Sequence, residues 1–233
     1  MPASFPEQEN TLKHYLDSHA DDQQQADLMG ELLIRVTAGD EVTGSVSKYH
    51  AHVGTGVLHR AFSVLLFNEQ GQLLIQKRSA DKITFPGYWA NTCCSHPLYS
   101  EDELETDGSA GVKRAAIRKL AQELGIRDEL VEGDFTAMTR LHYRAESGNG
   151  WVEEELDHIL IARASVTLAL NANEVESVRW VSRDELAELL LSQEVLVAPW
   201  FRIIAEQLLP GWWPHIQDQK ALEQLADQRI IRV

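Results

Sequence analysis

A chain of 233 residues with 44% hydrophobic and 24% charged side chains has the make-up of one globular domain with a sizeable core, and hardly the length for two. Its formal net charge of −15 excludes a broad nucleic-acid-binding face, which needs clustered Lys and Arg against phosphates. The apolar runs, such as Val64-Leu65-Leu66-Phe67, fall far short of a membrane span and the polar, acidic start is unlike a secretory leader, so a cytoplasmic chain with no membrane partner is expected.

Residues 1–25 carry Pro2 and Pro6 among scattered polar groups and read as a flexible extension, followed by a single domain over residues 26–233. A short helix is predicted at Asp21–Gly30, a strand at Glu31–Thr37, a turn at Gly39-Asp40 and a strand at Val42–Val46. Ala61–Phe67 and Gln72–Lys77 flank Asn68-Glu69-Gln70-Gly71 as a hairpin, and Asp81–Pro97, with Pro86-Gly87, reads as a loop. From Ser109 to Leu124 the apolar Val112, Ala116, Ile117, Leu120 and Leu124 recur at helical spacing, and Gly125 is placed to end that helix. Phe135–Ala145 and Trp151–Ala164 pair around residues 147–150, Glu174–Val181 is a further strand, Ser182 caps a helix over Arg183–Leu191, and Trp200–Leu209 is the last helix. This order of elements gives an α/β fold with a mixed sheet.

The chemistry-bearing residues gather around the stretch Trp89–Pro97. Both cysteines, Cys93 and Cys94, are in it; adjacent thiols make a strained disulfide, so free thiols in a reducing compartment are expected. His52, His59 and His96 bracket the hairpin, and Glu153 and Glu155, two apart in a strand, share one face while Glu154 points away. Such a set suits a divalent ion such as Zn or Mn. His50 and His142 are equally available by composition, and any one of these residues alone is more often an ordinary hydrogen-bonded side chain. Glu123 follows Lys119 by four residues and has two readings. One is a surface ion pair worth about 0.3–0.5 kcal/mol. The other is a carboxylate for hydrated Mg²⁺ bridging to a diphosphate, since the last helical turn repels an unpartnered carboxylate. The cations Lys77, Arg78, Lys82, Lys113, Arg114, Arg118 and Lys119 flank the cysteine stretch; most belong to solvated faces, while a few are candidates for an anion pocket.

The segment Leu104–Ile126 resembles a degraded Nudix box, Gly-x5-Glu-x7-Arg-Glu-x-x-Glu-Glu-x-Gly. Arg118, Glu123 and Gly125 remain, while Leu104, Ala110, Lys119 and Gln122 stand where the box has its first glycine and three of its glutamates. Together with His59-Arg-Ala-Phe-Ser63, Asn91-Thr-Cys-Cys-Ser-His-Pro97, Trp151-Val-Glu-Glu-Glu155 and Ala198-Pro-Trp-Phe201, this is similar to the type I isopentenyl-diphosphate Δ-isomerase family over about residues 31–213. The resemblance implies a Nudix-type fold, with a mixed β-sheet sandwiched between helices. It also implies double-bond migration in isopentenyl diphosphate through a tertiary carbocation, as part of isoprenoid biosynthesis. It implies Cys94, Glu155, Tyr143 and Trp200 as catalytic residues: Glu155 working through Tyr143 as proton donor, Cys94 as base with a lowered pKa near a metal-bound imidazole, and Trp200 facing the cation. Lys48, Arg78, Lys82 and Lys119 are implied to hold the diphosphate. His52, His59, His96, Glu153 and Glu155 are implied to hold a divalent metal (Zn²⁺, Mn²⁺ or Mg²⁺), and Glu123 the Mg²⁺ that accompanies the substrate. A monomer is expected. A Nudix hydrolase of another diphosphate is the second reading, disfavoured by the missing box glutamates; a catalytically silent binding module is the third, and the presence of Cys94 and Glu155 argues against it.

Overall fold

The computed structural model describes residues 27–233; the predicted extension over 1–25, and most of the predicted short helix, lie outside the described residues, of which 27–29 are helical. The strands are β1 (Leu32–Val36), β2 (Val42–Ser47), β3 (His59–Phe67), β4 (Leu73–Arg78), β5 (Trp89–Ala90), β6 (Cys93–Ser95), β7 (Thr136–Gly148), β8 (Trp151–Arg163), β9 (Val175–Val181) and β10 (Ile230–Arg232). The helices are α1 (Lys48–His52), α2 (Glu101–Leu104), α3 (Ala110–Leu124), α4 (Arg183–Leu191), α5 (Pro199–Ile203), α6 (Leu209–Trp212) and α7 (Gln219–Leu225). The strands form one mixed sheet in which β10-β7-β8-β3-β1-β2 are neighbours, β3 and β8 run parallel, and β4 pairs with β9 and β5.

Period-two alternation sorts the central strands onto two cores. Phe62, Val64 and Leu66 of β3 and Leu160 and Ala162 of β8 pack with Val112, Ala116, Leu120 and Leu124 of α3. Leu65 and Phe67, with Ile159 and Ile161, face the opposite layer, where Leu186 of α4, Phe201 of α5, Leu209 of α6 and Leu222 of α7 cover them. Helices on both faces of a mixed sheet are the arrangement the element order calls for. Helix α3 ends as predicted: Gly125 takes φ 74° and its N–H caps the carbonyls of Ala121 and Leu120.

Three elements depart from the sequence reading. The turn at residues 68–71 forms, but β3 and β4 share only the pair Phe67–Leu73 before they separate. The Thr92 side chain fills the gap, accepting from the Leu66 N–H at 2.8 Å and donating to the Leu74 carbonyl at 2.6 Å, and β6 takes over the ladder with β3. The Asp81–Pro97 segment is therefore not all loop: β5 and β6 lie inside it. The last predicted helix is longer and broken. It runs from Pro199 through a π-turn at Ile204–Leu208 into α6, because Pro210 has no N–H for the carbonyl of Glu206 and its ring excludes ordinary α-geometry there. Helix α7 and strand β10, parallel to β7, carry no sequence signal strong enough to place them.

Asp40, in the turn between β1 and β2, ties that hairpin to three other strands. Its carboxylate accepts from Arg60 Nε at 2.8 Å, Arg140 Nη1 at 3.2 Å and His158 Nε2 at 2.9 Å. Burial pushes its pKa up, but His158 and Arg60 outweigh that and hold it at about 2, below the ordinary 3.8. A depressed folded pKa stabilises the fold above the unfolded value and stops doing so as pH falls through the folded one. The wild type is thus expected to lose about 2 kcal/mol from this group between about pH 4 and pH 2. Chemical denaturation of wild type and Asp40→Asn at pH 6 and pH 2.5 checks this: the gap between them closes in acid, and a constant gap refutes it.

Candidate active site

Strands β3, β6, β7 and β8 converge below α1 on a small cavity lined by His52, Ser63, Arg78, Cys94, His96, Tyr143, Glu153, Glu155 and Trp200, with Lys48 and Lys82 at its cationic side. The register explains the convergence. His59 lies opposite Glu155 across β3–β8, Tyr143 opposite Glu155 across β7–β8, and Ser63 opposite Cys94 across β3–β6.

His52, His59, His96 and Glu155 each offer one ligand atom, and the four atoms lie within 4.8 Å of one another. Glu155 Oε1 is the hub, 2.9 Å from His96 Nε2, 3.6 Å from His59 Nε2 and 3.7 Å from His52 Nε2. Backbone carbonyls fix two of the imidazoles. His52 Nδ1 donates to the Lys48 carbonyl and His59 Nδ1 to the Val57 carbonyl, both at 2.7 Å, so each ring turns its Nε2 toward the cluster. This is the outer support that metal-bound histidines ordinarily have. His59 Nε2 is buried and makes no hydrogen bond to any described residue, which fits a cation ligand. Burial holds His52 at about 4 and His96 well below the ordinary histidine range, in both cases against the pull of Glu155. Neutral imidazoles beside one anionic carboxylate are a fitting ligand set for a divalent ion. His50 bonds Ser47 Oγ at 2.6 Å and His142 bonds Glu154 at 2.9 Å, and neither belongs to the cluster.

Beside the cluster, Tyr143 Oη lies 2.6 Å from Glu155 Oε2 and 3.0 Å from Glu153 Oε2. Burial together with the charge of Glu155 pushes Glu153 up to about 8. Burial would raise Glu155 also, but the imidazoles of His52, His59 and His96 gathered around its Oε1 outweigh it and hold the carboxyl well below its usual range. Cys94 enters from β6, on the flank of β3 opposite β8, while Cys93 on the other face of β6 is fully buried against α3. Burial pushes the Cys94 thiol up to about 12, although Arg78, whose Nη1 is 3.7 Å from Sγ, pulls it down. Burial of the thiol and a neutral His96 work against the expected lowering, which a cation on the imidazole cluster would favour.

Trp200 is 2% exposed, held by Nε1 donating to Asn91 Oδ1 at 3.0 Å. Its ring lies 6.1 Å from that of Tyr143, and the Arg78 guanidinium carbon is 5.6 Å from its centroid. Arg78 reaches this side because the ladder with β9 slips between Lys77 and Arg78; Gln76, before the slip, points the other way and bonds Glu123. Much of the Arg78 guanidinium is engaged by the carbonyls of Thr84 and Phe85. Burial, joined by the charges of Lys82 and Lys119, lowers Lys48 to about 8. Lys82 is paired with the buried Glu174. Lys119 and Glu123 form a buried pair at 3.3 Å, so the surface-pair reading of Glu123 falls. Neither residue lines the cavity.

Residues 57–201 match the family model described as NUDIX domain. The chain is 44% identical to "Isopentenyl-diphosphate Delta-isomerase 1" of Bos taurus, over 84% of this chain and 89% of that one. It is 40% identical to "Isopentenyl-diphosphate Delta-isomerase I" of Clarkia breweri, over 98% of this chain and 83% of that one. The chain belongs to the isopentenyl-diphosphate Delta-isomerase family. Its fold is the Nudix one: a NUDIX hydrolase from Alicyclobacillus acidocaldarius superposes with TM-score 0.54 at 10% identity, over 74% of this chain and 99% of that one, a likeness of fold alone.

Within this isopentenyl-diphosphate Delta-isomerase family member, the cavity gathers His52, His96, Glu153, Glu155, Cys94, Tyr143, Trp200, Lys48, Arg78 and Lys82, with His59 directly behind. Glu153 is outside the four-atom cluster and is engaged with Tyr143. Sequence reasoning missed Ser63, Ile83, Thr84 and Met29 in the lining and Glu174 as the anion that holds Lys82. Asn91, which holds Trp200, was signalled by its place in the cysteine stretch. Arg118 was read as a box remnant; it forms a double hydrogen bond to Glu103 and also donates to the His96 carbonyl at 3.2 Å, anchoring a cluster histidine to α3.

Proposed function

We propose that the protein interconverts isopentenyl diphosphate and dimethylallyl diphosphate. The observation that carries this is the placement of Cys94 and the Tyr143–Glu155 pair on opposite flanks of β3 around one cavity. Moving the double bond needs a proton added to the terminal carbon and another removed two carbons away, so proton-transfer groups are needed on both sides of the substrate. The reaction is reversible, and each group donates in one direction and accepts in the other. Tyr143 passes a proton between the substrate and Glu155. Trp200 presents its π face to the cationic carbon, and the burial of the site keeps water from capturing it. Lys48, Lys82 and Arg78 attract the diphosphate; with substrate bound, Lys82 exchanges part of its pairing with Glu174 for phosphate oxygens.

His52, His59, His96 and Glu155 would hold one divalent ion, Zn²⁺, Mn²⁺ or Mg²⁺, joined by Glu153 once it loses its proton; Glu123, behind the cavity lining with its Oε1 buried and without a hydrogen bond to any described residue, would serve the Mg²⁺ that arrives with the diphosphate. The bound cation supplies a fixed positive charge that orders Glu155. No described helix is long and apolar enough to cross a membrane, and we assign a monomer acting on a small molecule in the cytoplasm. Incubation with isopentenyl diphosphate and Mg²⁺, followed by NMR, tests the function. Dimethylallyl diphosphate without released phosphate supports it; phosphate release without isomer establishes the hydrolase alternative.

Trp200 gives a sharper test. Trp200→Phe and Trp200→Leu both lose the Asn91 hydrogen bond, so their difference isolates the π face. A desolvated cation–π contact of about 2 kcal/mol corresponds to a factor of roughly 30. Turnover per folded molecule is expected to fall modestly in Trp200→Phe and by about 30-fold more in Trp200→Leu. Equal turnover in the two, with only thermal midpoints lowered, would make Trp200 a packing residue.

A further inference from the structure

The wall of the cavity that carries Ile83 and Thr84 is held in an unfavourable backbone shape. Phe85, the next residue, has φ 48°, a left-handed conformation that bulky side chains rarely adopt without external support. Two sets of bonds supply that support. Arg78 donates to the carbonyls of Thr84 and Phe85 from inside the site. From outside, Ser147, at the tip of the β7–β8 hairpin, accepts the Phe85 N–H on its Oγ at 2.7 Å. The Phe85 ring in turn packs 5.4 Å from Trp200.

We infer that Ser147 is a positioning residue for water exclusion: through the Phe85 peptide it holds the 83–85 wall closed over the reacting end of the cavity. This rests on the isomerase reading above, because only a cationic intermediate makes a leak of water visible in the products. If the wall opens, the oxygen of a water molecule forms a bond to the tertiary carbon and releases one proton to solvent. The product is a tertiary alcohol that keeps its diphosphate. No oxidant or further reactant is involved. Ser147 itself does not line the cavity, so removing its hydroxyl leaves the proton-transfer groups untouched.

The experiment compares wild type, Ser147→Ala and Ser147→Thr, with the metal-loaded full chain in each case. Two quantities are read: the share of tertiary alcohol among products by mass spectrometry, and the hydrogen exchange of the Phe85 amide by NMR. Losing one ordinary hydrogen bond corresponds to about a tenfold effect. In Ser147→Ala, Phe85 exchange is expected to rise about tenfold and the alcohol share to rise with it, while Ser147→Thr, which keeps the hydroxyl, matches wild type in both. A merely structural role lowers the thermal midpoint without changing the product ratio. Wild-type isomerisation with an unchanged alcohol share in Ser147→Ala, or unchanged Phe85 exchange, overturns the inference alone. A wild type that forms no isomer overturns the isomerase reading, and this inference with it.

Discussion

Cys94→Ala is expected to reduce isomerisation on the order of 1000-fold or more, whereas Cys93→Ala keeps most of it. The two thiols are one residue apart on β6, and strand geometry sends them to opposite faces. Cys94 lines the cavity, with Arg78 beside its sulfur. Cys93 is fully buried on the α3 side, its thiol 3.6 Å from Glu123. Removing Cys94 deletes one of the two groups that must exchange a proton with the substrate, and neither Arg78 nor Ser63 beside it is a base at neutral pH. Removing Cys93 deletes a sulfur from the core and costs about 1–2 kcal/mol of stability. Isomer formation and thermal midpoint, measured for both variants, separate the outcomes. Comparable activity losses in both, or none in either, would sink the assignment of Cys94.

The second large effect concerns the histidine cluster. Protein purified without added metal is expected to carry about one equivalent of a tightly bound divalent ion, since a preformed set of neutral imidazoles around an anionic carboxylate binds strongly at neutral pH. His96→Ala and Glu155→Gln should each lose most of that metal and nearly all activity. His142→Ala should keep both, because His142 bonds Glu154 on the far face of β8 and is not part of the cluster. Elemental analysis of the four proteins is the measurement. A metal-free wild type that stays fully active in chelator would contradict the reading, as would loss of metal in His142→Ala equal to that in His96→Ala.

Much of the sheet was legible because its signals are local. The alternation in Trp151–Ala164 placed Glu153 and Glu155 together and turned Glu154 away, and that face is the one β8 directs into the cavity. The 3.6-residue spacing from Val112 to Leu124, with Gly125 behind it, gave α3 and its end. The choice of His52 over His50 rests on resemblance; in the fold His52 joins the imidazole cluster and His50 does not. In α1 the two side chains diverge; His52 turns inward with its Nδ1 on the Lys48 carbonyl, and His50 is taken by Ser47.

Long-range pairings had no such local signal. Thr92 parting β3 from β4 is invisible in a sequence that reads as a plain hairpin, and so is Glu174 meeting Lys82 across 92 positions. Lys119 and Glu123 have the spacing of a surface ion pair, and only the packing of α3 against the sheet buries them. An acidic Cys94 thiol is expected only beside a metal-bound imidazole; the fold buries both groups, and burial by itself suppresses whichever form is charged. Residue order by itself determined the elements, the faces of their side chains and the family motifs, because those follow from backbone periodicity and covalent neighbours. Tertiary structure alone decided which groups share one low-dielectric cavity, which charges are paired there and which protons they hold, because desolvation and Coulomb energies depend on distances that the chain sets only when it closes on itself.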